Sequence, residues 1–280
     1  MSELHRRRNV PDTLAVPPPH ENILNMAYTG DYDQGVPQNE LRKPGPLYFV
    51  GRWILVPLAK LIYRPRVIGR ENVPRSGQVI LASNHLSFID SILIPLTTPR
   101  RVQFLAKSHY FEGTGLRGAI SRAFFTSIGA IPVERGVGQA AQDALEQSRK
   151  IIESGAAFAL YPEGTRSLDG RLYRGRTGIG WLALTTGALV VPVGIMGTNE
   201  MQPVGARFPR LRRVTITFGE PHDLSSHGTA TSGRARRQAT DEVMKAIQAL
   251  TGQEEAGTYN ETPPANTIER VKRVLRPERL

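Results

Sequence analysis

A chain of 280 residues with 40% hydrophobic content can bury one good-sized core, so one folded domain flanked by tails is expected rather than two domains. Cysteine is absent, which excludes disulfides, a thiolate metal site and any covalent cysteine intermediate, and suits a reducing compartment. The formal charge of +11 implies an anionic partner, whether nucleic acid, acidic lipid headgroups or a phosphorylated substrate; Arg far outnumbers Lys, and its planar fork grips phosphate in a bidentate way.

Taken in chain order, residues 1–46 are rich in Pro, Asn and charge, with Pro17-Pro18-Pro19 and little apolar periodicity, and read as a weakly ordered arm. The basic start, Met1 to Val10, is followed by no apolar run, so no secretory signal is expected. Residues 47–63, Leu47 to Tyr63, would reach roughly 25 Å as a helix but carry Arg52, Pro57 and Lys60, a poor membrane span. Two readings stay open for them: an amphipathic helix lying in a membrane interface, or one packed on the domain's own core.

From residue 76 short apolar runs alternate with helical spacing, the texture of successive βα units, and residues 64–250 read as one domain. Strands are predicted over 78–83, 102–106, 127–133, 156–160, 189–195 and 214–218. Helices are predicted over 87–96, 116–125, 139–154, 175–186 and 233–250, with Gly155 and Gly187 where C-terminal caps belong. The uncharged stretch from Gly178 to Gly197 contains Pro192 and several glycines and splits into helix then strand rather than spanning a bilayer. Residues 251–280 read as a polar tail with a short basic helix near Ile268 to Leu275. Buried strands crossed by helices give an α/β fold: a mostly parallel central sheet with helices on both faces.

The sharpest segment is Asn84-His85-Leu86-Ser87-Phe88-Ile89-Asp90, directly after the first predicted strand. A carboxylate on one imidazole nitrogen fixes the tautomer and frees the other to take a hydroxyl proton. Five residues apart on a regular helix, His85 and Asp90 would point about 140° away from each other. The pair therefore works only with His85 in a loop and Asp90 in the first helical turn. Ser87 to Asp90 is equally an S-x-x-D capping box, in which Asp90 satisfies backbone N–H groups, and the two roles are compatible.

Tyr161-Pro-Glu-Gly-Thr-Arg-Ser167 also leaves the end of an apolar strand and offers an acid, a permissive glycine and a guanidinium in one turn, suited to phosphate; a plain turn with a surface ion pair is the bland alternative. Gly129-Ala-Ile-Pro-Val-Glu-Arg135 again puts a charged pair after a strand. In an open parallel sheet, ligands bind outside the carboxyl ends of the strands, and His85, Lys107, Arg135, Glu163 and Arg166 all sit there.

The ordered blocks Asn84-His85-x4-Asp90, Gly129 to Arg135, Tyr161 to Ser167 and Val190-Val-Pro-Val193 resemble the glycerolipid acyltransferase family typified by 1-acylglycerol-3-phosphate acyltransferase, over residues 75–220. The resemblance implies direct transfer from acyl-CoA or acyl-carrier protein to a hydroxyl of lysophosphatidic acid or glycerol 3-phosphate, with His85 as general base oriented by Asp90. It implies neither metal nor cofactor nor acyl-enzyme. By the same carry-over Arg135, Glu163, Gly164, Thr165 and Arg166 bind the acceptor, with Lys107 and Arg174 assisting. Anionic lipid at the cytoplasmic face of a membrane is the implied setting, with the chain peripheral or monotopic. Two departures bear on the acceptor: Ser108-His109-Tyr110-Phe111 after Lys107, where relatives more often have an acid followed by leucine, and Tyr161 where they have Phe.

Two other classes compete. A metal-dependent phosphoester hydrolase would use His85, Asp90 and His109, but no third close-spaced ligand supports it. A nucleic-acid or acidic-lipid binding module would rest on Arg207-Arg210-Arg212-Arg213 and Arg234-Arg236-Arg237. Aromatic residues for base stacking are scarce there, Phe208 excepted, and no nucleic-acid partner is expected.

Overall fold

The computed structural model describes residues 63–133, 139–203, 205, 206 and 208–261. Seven strands form one sheet: β1 (Arg66–Ile68), β2 (Val79–Ser83), β3 (Val102–Lys107), β4 (Ala130–Val133), β5 (Ala157–Leu160), β6 (Leu189–Met196) and β7 (Thr215–Phe218), in the spatial order β1-β7-β6-β2-β5-β3-β4. Neighbours from β6 across to β4 pair in parallel; β7 runs antiparallel to β6 and carries β1 parallel to itself at the edge. The mostly parallel α/β sandwich expected from the sequence is present.

Six helices accompany the sheet among the described residues: α1 (Asp90–Thr97), α2 (Gly115–Ser127), α3 (Gln139–Glu153), α4 (Gly178–Thr186), the short α5 (Thr198–Met201) and α6 (Gly233–Thr251). The central strand β2 is buried along its whole length, and the pleat sends successive side chains to opposite faces. Val79 and Leu81 meet Leu93 and Ile94 of α1 and Phe125 of α2 in one core, while Ile80 and Ala82 meet Ile152 of α3, Ile179 and Leu182 of α4 and Val243 and Ile247 of α6 in the other. Each of these large aliphatic side chains contributes roughly 1.5–3 kcal/mol by leaving water. On α6 the buried positions Ala235, Ala239, Val243 and Ile247 recur every fourth residue, and Ser232 caps its start by accepting the Ala235 N–H. Gly155 and Gly187 take the left-handed conformation that ends α3 and α4.

The differences from the sequence reading are local. The edge strand β1 and the single turn α5 are too short to show a period. The expected strand over 127–133 starts at Ala130, because α2 runs on through Ser127 and Gly129, at φ 90°, turns the chain back into the sheet. The arm, the segment 47–62, Glu134, Arg135 and the basic helix near 268–275 lie outside the described residues.

Gly129 has no room for a side chain, since a Cβ would collide with the carbonyl oxygen of Val102. Gly129→Ala is therefore expected to cost at least ~2 kcal/mol, through a left-handed φ on a non-glycine residue added to the clash. Urea unfolding checks this; an unchanged midpoint would contradict the turn.

Candidate active site

β2 delivers Asn84 and His85 to the carboxyl end of the sheet. Asn84, buried, continues the strand with its side chain: Oδ1 accepts the Ile195 N–H at 2.8 Å and Nδ2 donates to the Ile195 carbonyl at 2.8 Å, a backbone-like pair with β6. His85 thus leaves a segment fixed at both ends, in a loop, and Asp90 opens α1. That is the geometry in which the two side chains can meet.

They do meet: His85 Nδ1 lies 2.9 Å from Asp90 Oδ2. The same oxygen accepts the Leu86 and Ser87 N–H groups at 2.8 Å each, so Asp90 both caps the turn before α1 and faces the imidazole. An Oδ2 already serving as an acceptor takes a further donor, which assigns the ring proton to Nδ1 and the lone pair to Nε2. Asp90 is fully buried, and its Oδ1 receives no hydrogen bond among the described residues.

The Tyr161–Ser167 turn, which leaves β5, holds His85 from the other side. Glu163 Oε1 accepts the His85 N–H at 3.0 Å, and the Ser167 N–H donates to the His85 carbonyl at 2.7 Å. The Tyr161 ring stacks on the imidazole, centroids 3.7 Å apart and 8° from parallel, and its hydroxyl lies 2.9 Å from Ser91 Oγ on α1. The Gly164 N–H closes the turn on the Tyr161 carbonyl, with Gly164 at φ 82° beside the Arg176 side chain.

Glu163, placed by the resemblance among acceptor-binding residues, is fully buried, and its second oxygen accepts the Tyr173 N–H at 3.0 Å. Both oxygens face backbone, and the carboxyl is a clamp between two loops. Burial pushes its pKa up to about 7 against the lowering effect of the Tyr173 and His85 N–H groups, with the charges of Asp90 and Asp169 adding to the rise. Thr165 and Arg166 occupy the outer part of the turn, half-buried, and Arg166 forms no ion pair among the described residues. Lys107 ends β3 with its side chain exposed. Arg174 is exposed, with its guanidinium 5.3 Å from the Tyr259 ring centroid. Arg135 lies outside the described residues.

Residues 253–260, read from composition as the start of a polar tail, run alongside this loop. Arg174 N–H donates to the Thr258 carbonyl at 2.9 Å; the buried Asn260 donates from Nδ2 to the carbonyls of Thr165 and Arg166 at 3.3 and 3.1 Å; Gln253 Oε1 accepts from Asn84 at 2.8 Å. Nothing in the sequence signals Asn260 or Gln253; Tyr161 opens the Tyr161–Ser167 motif but with no stacking role assigned to it, and Ser91 is visible only as the neighbour of Asp90. Among the described residues no three His, Asp or Glu side chains converge, so His85, Asp90 and His109 are not assembled as a metal-donor set.

A carboxyl whose folded pKa is raised gives stability that is complete below its ordinary value of 4.5 and is lost as pH rises through about 7. Stability of the native protein is therefore expected to decline between pH 4.5 and about pH 7 by a component that Glu163→Gln lacks. The variant itself should lose about 1–3 kcal/mol, since an amide nitrogen cannot accept the second N–H. Urea midpoints across pH measure both effects, and an identical pH slope in the two proteins would refute the assignment.

The comparisons with known proteins follow this geometry. Residues 64–196 match the family model described as Acyltransferase. The chain is 33% identical over 145 residues to the chloroplastic 1-acyl-sn-glycerol-3-phosphate acyltransferase of Arabidopsis thaliana, covering 51% of this chain and 39% of that protein. It is 28% identical over 203 residues to the protein so named in Chlamydomonas reinhardtii, covering 72% of this chain and 57% of that one. The matches thus span between two fifths and three fifths of these relatives' lengths. Among solved structures the 1-acyl-sn-glycerophosphate acyltransferase PlsC of Thermotoga maritima superposes with TM-score 0.53 at 24% identity, covering 71% of this chain and 80% of that one, a shared fold. Residues 64–196, with His85, Asp90 and the Tyr161–Ser167 turn among them, are the part of the chain that is similar to the Acyltransferase family.

Proposed function

We propose that the chain transfers a fatty acyl group from acyl-CoA or acyl-carrier protein to a hydroxyl of lysophosphatidic acid or glycerol 3-phosphate, in phospholipid synthesis at the cytoplasmic face of a membrane. One observation carries the proposal: a His–Asp pair at the carboxyl rim of the sheet, held by a turn that bears Arg166. His85 Nε2 takes the acceptor hydroxyl proton as the oxygen attacks the thioester carbonyl carbon. Asp90 stabilises the imidazolium through Nδ1–H. The tetrahedral intermediate then breaks its C–S bond, and the proton on Nε2 passes to the departing thiolate, leaving the ester and a free thiol.

Arg166, on the turn that holds His85 and without a carboxylate partner among the described residues, pairs with the acceptor phosphate in this reading; Lys107 and Arg174 add positive charge, and Arg135 is assigned to the acceptor by the resemblance alone. Glu163, Gly164 and Thr165 shape the turn that presents it. Among the described residues no helix is long and apolar enough to cross a membrane.

His85→Ala is expected to lower turnover at least ~100-fold with the fold intact, the usual scale of a positioned general base. Near-normal transfer by that variant would end the proposal. Arg166→Ala should raise the KM for the acceptor about tenfold or more, the worth of a charge-assisted phosphate contact, and leave the donor KM within about twofold. A change confined to the donor would remove Arg166 from the acceptor site. Mass spectrometry of products from a panel of acceptors offered with one acyl-CoA identifies the acceptor, and the absence of any ester product across the panel would overturn acyl transfer itself.

A further inference from the structure

Among the described residues, six large apolar side chains left in water lie on segments that leave one end of the sheet. Leu116 and Ile120 lie on α2, which is entered from the end of β3; Leu168 follows the Tyr161–Ser167 turn after β5; Met196 ends β6; Phe208 and Leu211, 82% and 71% exposed, lie on the connection from α5 to β7. β3, β5 and β6 all run in the direction of β2, so these segments emerge at the rim to which β2 delivers His85. β7 runs the opposite way, so the connection that carries Phe208 also returns to the sheet at this rim.

The segment Phe208-Pro-Arg-Leu-Arg-Arg213 joins those two apolar tips to three exposed guanidinium groups, Arg210, Arg212 and Arg213, and no acidic residue occurs from Met201 to Gly219. It is anchored beside the site: Ser87 Oγ donates to the Gln202 carbonyl at 3.0 Å, and the Arg210 N–H donates to the carbonyl of the buried Met201 at 2.7 Å. The fold therefore holds these tips out of its own core. A lone Phe and a Leu between arginines give no platform for successive bases. They do match a lipid interface, in which apolar tips enter the acyl region and guanidinium groups stay level with the phosphates.

We infer that Phe208 and Leu211 insert into an anionic bilayer, with Arg210, Arg212 and Arg213 at its phosphates, and that this contact sets the His85 rim on the surface holding the acceptor. The inference rests on the lipid-linked acceptor of the proposed function. It concerns residues outside the 64–196 family match.

The absence of cysteine makes the test direct. Phe208→Cys is labelled with a polarity-sensitive fluorophore, and Ser154→Cys, exposed just before β5 at the opposite end of the sheet, serves as the control. With phosphatidylcholine vesicles containing roughly a third phosphatidylglycerol, the label at 208 should shift to the blue and the label at 154 should not. The shift should weaken at about 1 M salt, where the Debye length falls to about 3 Å. Phe208→Ser combined with Leu211→Ser should lower vesicle affinity about tenfold or more and leave turnover on a water-soluble, short-chain acceptor unchanged. A label at 208 that stays water-like in the presence of vesicles, responds equally to neutral ones, or responds to duplex DNA in place of vesicles overturns the inference. Loss of wild-type turnover on every soluble and lipid acceptor would defeat the proposed function alone, since the label reports docking independently of catalysis.

Discussion

The site depends on the grip that one turn exerts on a single peptide unit. The His85 N–H is taken by Glu163 and the His85 carbonyl by the Ser167 N–H, so the backbone that carries the imidazole is fixed from both sides by residues about eighty positions away in sequence. β2 and β5 pair in parallel and end together, which brings the two loops level. Without that register neither Asp90 nor Tyr161 would have a defined imidazole to meet. The ring is then set in three respects: Asp90 fixes which nitrogen carries the proton, Tyr161 fixes the ring plane, and Ser91 ties the Tyr161 hydroxyl to the helix that Asp90 begins.

The clamp has a cost built into it. Glu163 sits where water cannot solvate its charge, with Asp90 nearby, and its carboxyl is held partly in the neutral form near neutral pH. Two backbone donors offset this only in part. Buried polar groups at such a place rigidify the loop when every partner is present and destabilise it when one is removed. Asn84 follows the same logic with a neutral amide, completing the β2–β6 ladder one residue beyond the strand. The segment 253–260 adds an outer layer through Asn260, which holds the carbonyls of Thr165 and Arg166 and so steadies the stretch that carries Arg166.

Much of this was legible in the sequence because it is local. The strands are short apolar runs bounded by turn residues, the helices carry an apolar stripe, and His85 and Asp90 stand close enough that a loop-to-helix transition alone lets them meet. Parallel strands also announce where a ligand belongs, which gathered Lys107, Glu163 and Arg166 to one rim before any coordinates. What was not legible is long-range. The role of Glu163 depends on backbone N–H groups of His85 and Tyr173 that have no side-chain signature, and composition alone made 253–260 look like a tail. The start of β4 was misplaced because Ser127 and Ile128 suit a strand as well as a helix end, and only the collision space around Gly129 decides between them.

The protonation of one ring decides whether this architecture is a base. Nitrogen-15 NMR of the histidine-labelled protein at neutral pH, with His85 assigned by its loss in a His85 variant, reads both ring nitrogens directly. A protonated Nδ1 and an unprotonated Nε2, with that preference lost in Asp90→Asn, is the expected result. A proton resident on Nε2 at neutral pH would contradict it, because the nitrogen required to accept the hydroxyl proton would already hold one.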